Sequence, residues 1–226
     1  SFPGPITLAS NSTVGGANAI TLSGSIGGAG NFSKIGASTL TLSGYSVSLA
    51  GTFAVDAGTV NMSLRPSTRT AGFAGFTGLA LAGGTTLNLT SGAGQAFDLG
   101  SGQINLGAGT GSVTLGFELG ASDNYDRFVS SGAATTTNAV VLNLTGLAGF
   151  GAGDYDLLTA SGGLDGATYS ISSLGGAGAS SGSVVSLGSG FFGQSLSFSP
   201  MATYVRLTAA AVAGDFYWDG TLGAAS

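Results

Sequence analysis

The sequence predicts an all-β protein whose short strands stack in successive coils, the arrangement of a β-solenoid. The first supporting observation is a recurring triplet of an apolar residue, a Thr or Asn and another apolar residue, found at 6–8, 20–22, 40–42, 60–62, 87–89, 104–106, 113–115 and 142–144. Because side chains alternate between the faces of a strand, each triplet buries its outer residues and exposes its middle one. The second observation is a content of 43 glycines in 226 residues, which fits frequent turns. The third is that the intervening segments, mostly Gly, Ala and Ser, show no helical period.

The first half of the chain is the more regular. Triplets begin at 6, 20, 40 and 60, and 47–49 and 53–55 supply further alternating strands. A coil of about 20 residues with two or three strands is the natural unit. The polar and aromatic segment 65–77 reads as a loop that leaves the stack. Residues 78–119 return to regularity and end in a longer alternating strand at 113–119. We therefore assign 1–119 to regular coils.

The second half, 120–226, is less regular. Its most polar segment is 121–127, and strands are predicted at 140–144, 155–159, 169–174, 183–187, 194–198 and 203–208. Their uneven spacing is compatible with wider coils that continue the stack or with a small β-sandwich that caps it.

The composition argues against several classes of function. Five basic residues against 10 acidic ones, a formal net charge of -5, leave no basic stripe for nucleic acid or for an anionic membrane surface. The sequence has no run of 18 apolar residues, so we expect no membrane insertion. Without Cys or His the chain lacks thiol nucleophiles, thiolate zinc sites and the commonest general base. We therefore expect no enzyme, no catalytic residue and no cofactor.

One segment resembles a known family. Residues 27–45 combine a Gly-rich turn, Lys34, Gly36 and the block Leu-Thr-Leu-Ser-Gly-Tyr, and 51–60 read Gly-Thr-Phe-Ala-Val-Asp-Ala-Gly-Thr-Val. This order resembles the autotransporter-associated β-strand repeat, also called the passenger-associated transport repeat. The chain departs from the family pattern after Tyr45, where Ser-Val-Ser-Leu-Ala replaces the usual Thr-Gly-Gly-Thr. Residues 115–158 are similar to regions that follow such repeats, and 216–220 resemble the start of a further unit.

The resemblance implies a right-handed parallel β-helix that is exported to the surface of a bacterium. There it implies a stalk, an adhesin or a fibre element, and it implies no catalytic residues. Location outside the cell is an expectation from the resemblance alone.

Stacked coils expose unpaired sheet edges at both ends, and such edges are templates for pairing with another chain. We therefore expect a homo-oligomer or polymer formed through exposed β edges. Phe216, Tyr217 and Trp218 are adjacent aromatics that cannot all face one core from a strand. We assign them, with Phe2 at the other end, to an interface between subunits, and burial against the last coil is the equally weighted alternative.

Asn61, Asn88, Asn105 and Asn143 each occupy the middle of a triplet. Stacked amides in register can hydrogen-bond along the axis, so these four residues are a candidate outward ladder. The alternative, which we favour, is that they are ordinary solvent-facing strand residues. The sequence Asn-X-Ser/Thr also occurs at 11, 31, 61, 88 and 143, as it does by chance in chains rich in Ser and Thr.

Polar sites are few. Asp123, Asn124 and Asp126 are a weak calcium candidate, because the segment lacks the Gly and the bidentate Glu of an EF-hand. We expect no other metal site. Carboxylate pairs at 123 and 126 and at 154 and 156 could serve glycoside chemistry, but Asp in turns more often bonds its own backbone. Lys34 and Arg206 are predicted to be solvated or in turns, and Arg127 is predicted to pair with Asp126 at the surface.

Three functions follow from this reading. The favoured one is a structural building block of an extracellular filament, stalk or surface layer. The second is an adhesin passenger that binds surface glycans through outward polar side chains and exposed aromatics. The third, a carbohydrate-active enzyme, is disfavoured because His is absent and charged residues are scarce.

Overall fold

The computed structural model describes residues 1–44, 47–63, 73–74, 76–175, 184–185 and 194–211. These residues form an all-β protein with predominantly parallel sheets. The strands, in chain order, are β1 (Ile6–Leu8), β2 (Ser12–Val14), β3 (Ile20–Leu22), β4 (Ile26–Gly28), β5 (Phe32–Lys34), β6 (Thr39–Leu42), β7 (Val47–Leu49), β8 (Thr52–Val55), β9 (Thr59–Met62), β10 (Phe73–Ala74), β11 (Gly78–Ala82), β12 (Thr86–Leu89), β13 (Ala96–Asp98), β14 (Gln103–Ala108), β15 (Val113–Leu119), β16 (Arg127–Val129), β17 (Ala134–Thr136), β18 (Val140–Gly146), β19 (Gly153–Thr159), β20 (Tyr169–Gly175), β21 (Val184–Val185), β22 (Gln194–Pro200) and β23 (Tyr204–Ala211). A 3-10 turn covers Leu164–Gly166.

The strands belong to four sheets. Sheet 1 has the order β1-β4-β7-β10, sheet 2 the order β17-β14-β11-β8-β5-β2, and sheet 3 the order β20-β18-β15-β12-β9-β6-β3. All pairs in these three sheets are parallel. Sheet 4 has the order β13-β16-β19-β23-β22-β21, with parallel pairs up to β19 and antiparallel pairs from β23 onward.

The chain visits the sheets in a fixed order. Four times in succession it passes from sheet 1 to sheet 2 to sheet 3, and we call each such pass a circuit. From β13 onward sheet 4 takes the place of sheet 1, and the 3-10 turn follows β19 where a sheet 2 strand would stand. All eight sequence triplets lie in strands.

The register shows how the circuits align. In sheet 3, Leu40 pairs with Val60, Val60 with Leu87, Leu87 with Leu115, and Leu115 with Leu142. The first of these steps spans 20 residues and the second 27, so later circuits are longer than the unit of about 20 residues that the sequence predicts. The predicted loop at 65–77 lies mostly outside the described residues. Its described part includes β10, which pairs with β7 and supplies the sheet 1 strand of the fourth circuit.

The core lies between the sheets. One row holds Leu40, Val60, Leu87, Leu115 and Leu142, each with 0% of its surface exposed. Burial of each such side chain contributes about 1.5–3 kcal/mol. A parallel row in sheet 2 includes two aromatic rings: those of Phe32 and Phe53 stack with centroids 5.5 Å apart. Within the part of the chain that the structure describes, no helix has the length and hydrophobicity of a membrane span.

Candidate functional site

The middle positions of the triplets in sheet 3 form a row along its outer face. The register places Thr21 opposite Thr41, Thr41 opposite Asn61, and Asn61 opposite Asn88. The Asn88 side chain donates a hydrogen bond from Nδ2 to Asn61 Oδ1 at 2.9 Å. These two members of the predicted ladder are therefore in direct contact.

The other two predicted members do not join that contact. Gly116 lies between Asn88 and Asn143 in the register, and a Cβ at Gly116 would come within 2.4 Å of Asn88 Oδ1. The ladder is therefore interrupted at Gly116, and Asn143 accepts a hydrogen bond from Ser172. Asn105 belongs to β14 in sheet 2, where it pairs with Ala80 and Thr135. The four residues do not form one ladder, because Asn105 lies in another sheet and Gly116 separates Asn143 from Asn88.

A second asparagine row, which the sequence analysis missed, lies between sheets 1 and 2. Asn11 accepts a hydrogen bond at Oδ1 from the backbone N–H of Asn31 at 3.0 Å, and Asn31 Oδ1 accepts one from the N–H of Thr52 at 2.8 Å. Each amide thus bonds the backbone of the next circuit. The signal for this row was the spacing of 20 residues between two Asn that each precede the second strand of a circuit.

Asn31→Ala is expected to lower the free energy of unfolding by about 0.5–1.5 kcal/mol, because the hydrogen bond from the N–H of Thr52 to the Asn31 side chain is lost. Asn105→Ala is the matched control, since Asn105 is also an outward asparagine and should change stability by about 0.5 kcal/mol or less. Urea titration of both variants measures the difference. Equal stability of the two variants would show that the asparagine hydrogen bonds between sheets 1 and 2 do not contribute to the free energy of unfolding.

Two acidic side chains are buried beside the 90–95 segment. Asp126 is 0% exposed; its Oδ1 accepts the N–H of Gln95 at 2.9 Å, and its Oδ2 accepts the N–H of Glu118 at 2.8 Å. Burial raises the pKa of Asp126, two backbone hydrogen bonds lower it and the charge of Glu118 raises it, and the net result is a pKa of about 8. Glu118 Oε2 accepts the N–H of Gly92 at 2.6 Å, and burial raises the pKa of this carboxyl too.

These contacts join three parts of the chain. Asp126 follows a tight turn closed by a bridge between Leu119 and Tyr125, and its carboxylate reaches both β15 and the end of the 90–95 segment. Glu118 holds the same segment at Gly92. The two acids therefore fix loop backbone, and Asp126 has no exposed surface at which a substrate could reach it.

The structure does not place the three residues of the calcium candidate, Asp123, Asn124 and Asp126, in the same environment. Both carboxylate oxygens of Asp126 accept backbone hydrogen bonds in the interior, whereas Asp123 is exposed and Asn124 is half-buried. Over the part of the chain that the structure describes, no group of three or more acidic side chains is placed to hold a metal ion. Calcium at this turn stays a prediction that rests on the residue types alone.

The prediction of a surface ion pair between Arg127 and Asp126 is wrong, because Asp126 faces the interior. The guanidinium of Arg127 lies instead over the ring of Tyr125, 5.1 Å from its centroid. The interpretation of Lys34 as solvated is also wrong. Its side chain points inward from β5 and is 0% exposed.

The ammonium group of Lys34 is held by backbone carbonyls. Nζ donates to the oxygens of Ile35 at 2.9 Å, Gly36 at 2.6 Å and Ala57 at 3.1 Å, which matches its three protons to three acceptors. Ala57 belongs to the next circuit, so the side chain links two circuits from inside. Desolvation by burial lowers the pKa of Lys34.

The second carboxylate pair is occupied by an arginine. Asp154 and Asp156 lie on β19, which pairs with β23, and Arg206 on β23 binds both. Its Nε and one terminal nitrogen contact the two oxygens of Asp156 at 2.6 and 2.9 Å, and the other terminal nitrogen contacts Asp154 at 3.2 Å. Thr208 adds a bond to Asp154 at 2.7 Å. The ion pairs of Arg206 with Asp154 and Asp156 therefore hold β19 and β23 together. Arg206 is a strand residue rather than the turn residue that was predicted.

The predicted interface residues fall in two places. Phe2 is 51% exposed, and its backbone extends sheet 3 beyond β3: its N–H donates to Thr21 at 2.8 Å and its carbonyl accepts from Ser23 at 2.9 Å. Beside it opens an apolar cavity of about 350 Å³, whose lining includes Ile6, Val14 and Phe32. Phe216, Tyr217 and Trp218 lie outside the described residues.

Comparison with known proteins finds no match of any kind. No family model matches the chain, and neither a curated protein nor a solved structure matches it.

Proposed function

We propose that the chain is a right-handed parallel β-solenoid that serves as a structural building block of a bacterial surface filament, fibre, stalk or surface layer. The observation that carries the proposal is the register of sheet 3. Seven strands from successive circuits pair in parallel, and each places a leucine, isoleucine or valine at the same inward position. The resemblance of 27–60 to the autotransporter-associated repeat supports a place outside the cell.

A repeated circuit has a mechanical consequence that supports this role. Each circuit contacts mainly its neighbours, so length is gained by adding circuits without a change in cross-section. Side chains that link one circuit to the next, such as Asn31 and Lys34, strengthen the stack along its length. The proposal assigns the chain no catalytic role.

Assembly between copies would use strand edges. Ile6 of β1 donates its N–H to Ser25, toward β4. Because successive residues of a strand point their N–H groups to opposite sides, the N–H of Thr7 faces away from β4. The cavity beside Phe2 adds apolar surface at the same end of the molecule. A β edge next to apolar surface is suited to pairing with a second copy.

The proposal predicts that the purified protein forms rods or fibres visible by negative-stain electron microscopy and a matching high-mass species in light scattering. Thr7→Pro removes the outward N–H of β1 and should reduce assembly, whereas Thr7→Ala keeps that N–H and should assemble as the parent does. A monodisperse monomer at high concentration would contradict self-assembly. Equal assembly of the two variants would show that this edge is not used.

The outward polar positions of sheet 3 favour a second candidate, an adhesin passenger that binds surface glycans. Their side chains are hydroxyls and amides, which are groups that bond sugar hydroxyls. A glycan array tests this candidate, and the absence of binding above background would remove it.

A further inference from the structure

The outer face of sheet 3 carries a two-dimensional grid of hydroxyl and amide side chains. Three consecutive circuits contribute the segments 39–43, 59–63 and 86–90, which read Thr-Leu-Thr-Leu-Ser, Thr-Val-Asn-Met-Ser and Thr-Leu-Asn-Leu-Thr. In each segment the first, third and fifth residues are polar. Inward residues alternate with them, and none of these is more than 2% exposed.

The register aligns the grid between circuits. Thr39, Thr59 and Thr86 pair in one row, and the third residues of the segments pair in the next. The fifth residues continue the same ladder, because Ser63 donates its N–H to Leu42 and Thr90 donates its N–H to Met62. The grid is therefore three rows by three columns.

The sheet geometry sets the spacing of the grid. Neighbouring strands lie about 4.8 Å apart, and alternate residues along a strand lie about 6.6 Å apart. The nine side chains thus form a nearly rectangular lattice of about 10 by 13 Å. Threonine is stiff at χ1, and the two amides of the grid, Asn61 and Asn88, are hydrogen-bonded to each other. The lattice stands on a packed core, so it is ordered before anything binds.

The grid is also uncharged. The chain has a net charge of -5, yet the three segments contain no Asp, Glu, Lys or Arg. The next acid on this face, Glu118, is buried and bonded to Gly92. An ordered, neutral surface of groups that both donate and accept hydrogen bonds complements another such surface better than it complements a charged polymer.

We propose that this face of sheet 3 binds ice. An ice surface is a neutral lattice of water oxygens, each able to donate and accept, with repeat distances of similar size to the two spacings of the grid. The threonine hydroxyls take the place of lattice waters, and the methyl groups beside them fill space that liquid water would otherwise occupy. The activity is separate from the proposed structural role, because it needs neither assembly nor a free strand edge.

A polysaccharide is the other lattice of hydroxyls that this face could meet. Sugar rings are commonly held by stacking on aromatic side chains, and the three segments contain no Phe, Tyr or Trp. The glycan-binding candidate would use this same face, and the absence of aromatic rings from the three segments favours ice over a sugar chain there.

The experiment is ice-affinity partitioning of the labelled protein, with ice recrystallisation as a second readout. We expect the parent chain to be incorporated into a slowly grown ice hemisphere and to slow recrystallisation. Thr59→Lys places a long charged side chain in the middle strand of the grid and should reduce both readouts to the level of a protein that does not bind ice. Thr135→Lys is the matched control, because Thr135 is an outward threonine of sheet 2, and it should behave as the parent.

Circular dichroism melts of both variants ensure that a loss of ice binding is scored only for folded protein. Exclusion of the folded parent chain from ice overturns the proposal. Equal incorporation of the two variants also overturns it, because binding would then not involve the grid. Exclusion from ice together with retention on insoluble cellulose or chitin that is lost in Thr59→Lys would overturn it in favour of a polysaccharide.

Discussion

Lys34→Met is expected to lower the free energy of unfolding by about 3 kcal/mol, and Lys34→Ala by more. The methionine fills nearly the same volume but donates no hydrogen bond, so the part-buried hydrogen bonds to the carbonyls of Ile35, Gly36 and Ala57 are lost. A hydrogen bond to a charged group contributes about 1.5–3 kcal/mol, and water offsets part of this loss because Ile35 and Gly36 are exposed. Alanine adds a cavity to the same loss.

Chemical denaturation of the two variants measures this effect. Ser33→Ala is the control, because Ser33 is the outward neighbour on the same strand, and its replacement should change stability by about 0.5 kcal/mol or less. The prediction is contradicted if Lys34→Met is as stable as the parent chain. That result would mean that apolar packing alone is sufficient at this position, as in other buried ionic sites where hydrophobic replacement is neutral.

The second large effect is a loss of stability as the pH rises from about 4 to about 8. The raised pKa of Asp126, about 8 against an ordinary value of 3.8, means that the folded protein keeps a proton that the unfolded chain releases near pH 4. Within this window the folded state binds more protons, so the free energy of unfolding falls with pH. One such group changes stability by up to about 1.4 kcal/mol per pH unit.

Asp126→Asn tests the assignment of this slope. Asparagine cannot ionise, so the stability of the Asp126→Asn variant should depend less on pH than that of the parent chain. Its NH₂ group cannot accept one of the two backbone bonds that Asp126 accepts from Gln95 and Glu118, so it should be the less stable protein at pH 5. The difference between the two proteins should shrink toward pH 9. Glu118→Gln should remove a further part of the slope, since the pKa of Glu118 is raised in the same direction.

Urea titrations at a series of pH values between 4 and 9 provide the measurement. A parent stability that is flat or that rises over this range would contradict the prediction. An unchanged slope in Asp126→Asn would assign the pH dependence to another group.

The strands that carry triplets could be predicted from the sequence, because the alternation of apolar and polar residues indicates directly which face of a strand is buried. Alternating segments without a triplet, such as 47–49 and 53–55, could be predicted in the same way, whereas β4, β13 and β16 could not. β4 contains two glycines among three residues, and β13 and β16 are three-residue strands without a polar residue between two aliphatic ones. Their place follows from pairing with neighbouring circuits, which a local pattern does not contain.

The same limit applies to the polar residues. Local reasoning placed Lys34 in solvent because lysine is rarely buried, and it could not anticipate that three carbonyls would converge on its Nζ. Asp126 was placed at the surface for the same reason. The outward asparagines were read by their shared place in a triplet, and only the register separates Asn105 in sheet 2 from Asn61 and Asn88 in sheet 3.

The unequal length of the circuits indicates where the chain accepts new sequence. The step from Leu40 to Val60 takes 20 residues and that from Leu87 to Leu115 takes 28, yet all four side chains are fully buried in one row. Most of the extra residues lie in the connections between strands, which leave the inward positions unchanged. Grafted peptides or whole modules inserted at such corners would therefore be displayed at the side of the protein without disturbing its interior.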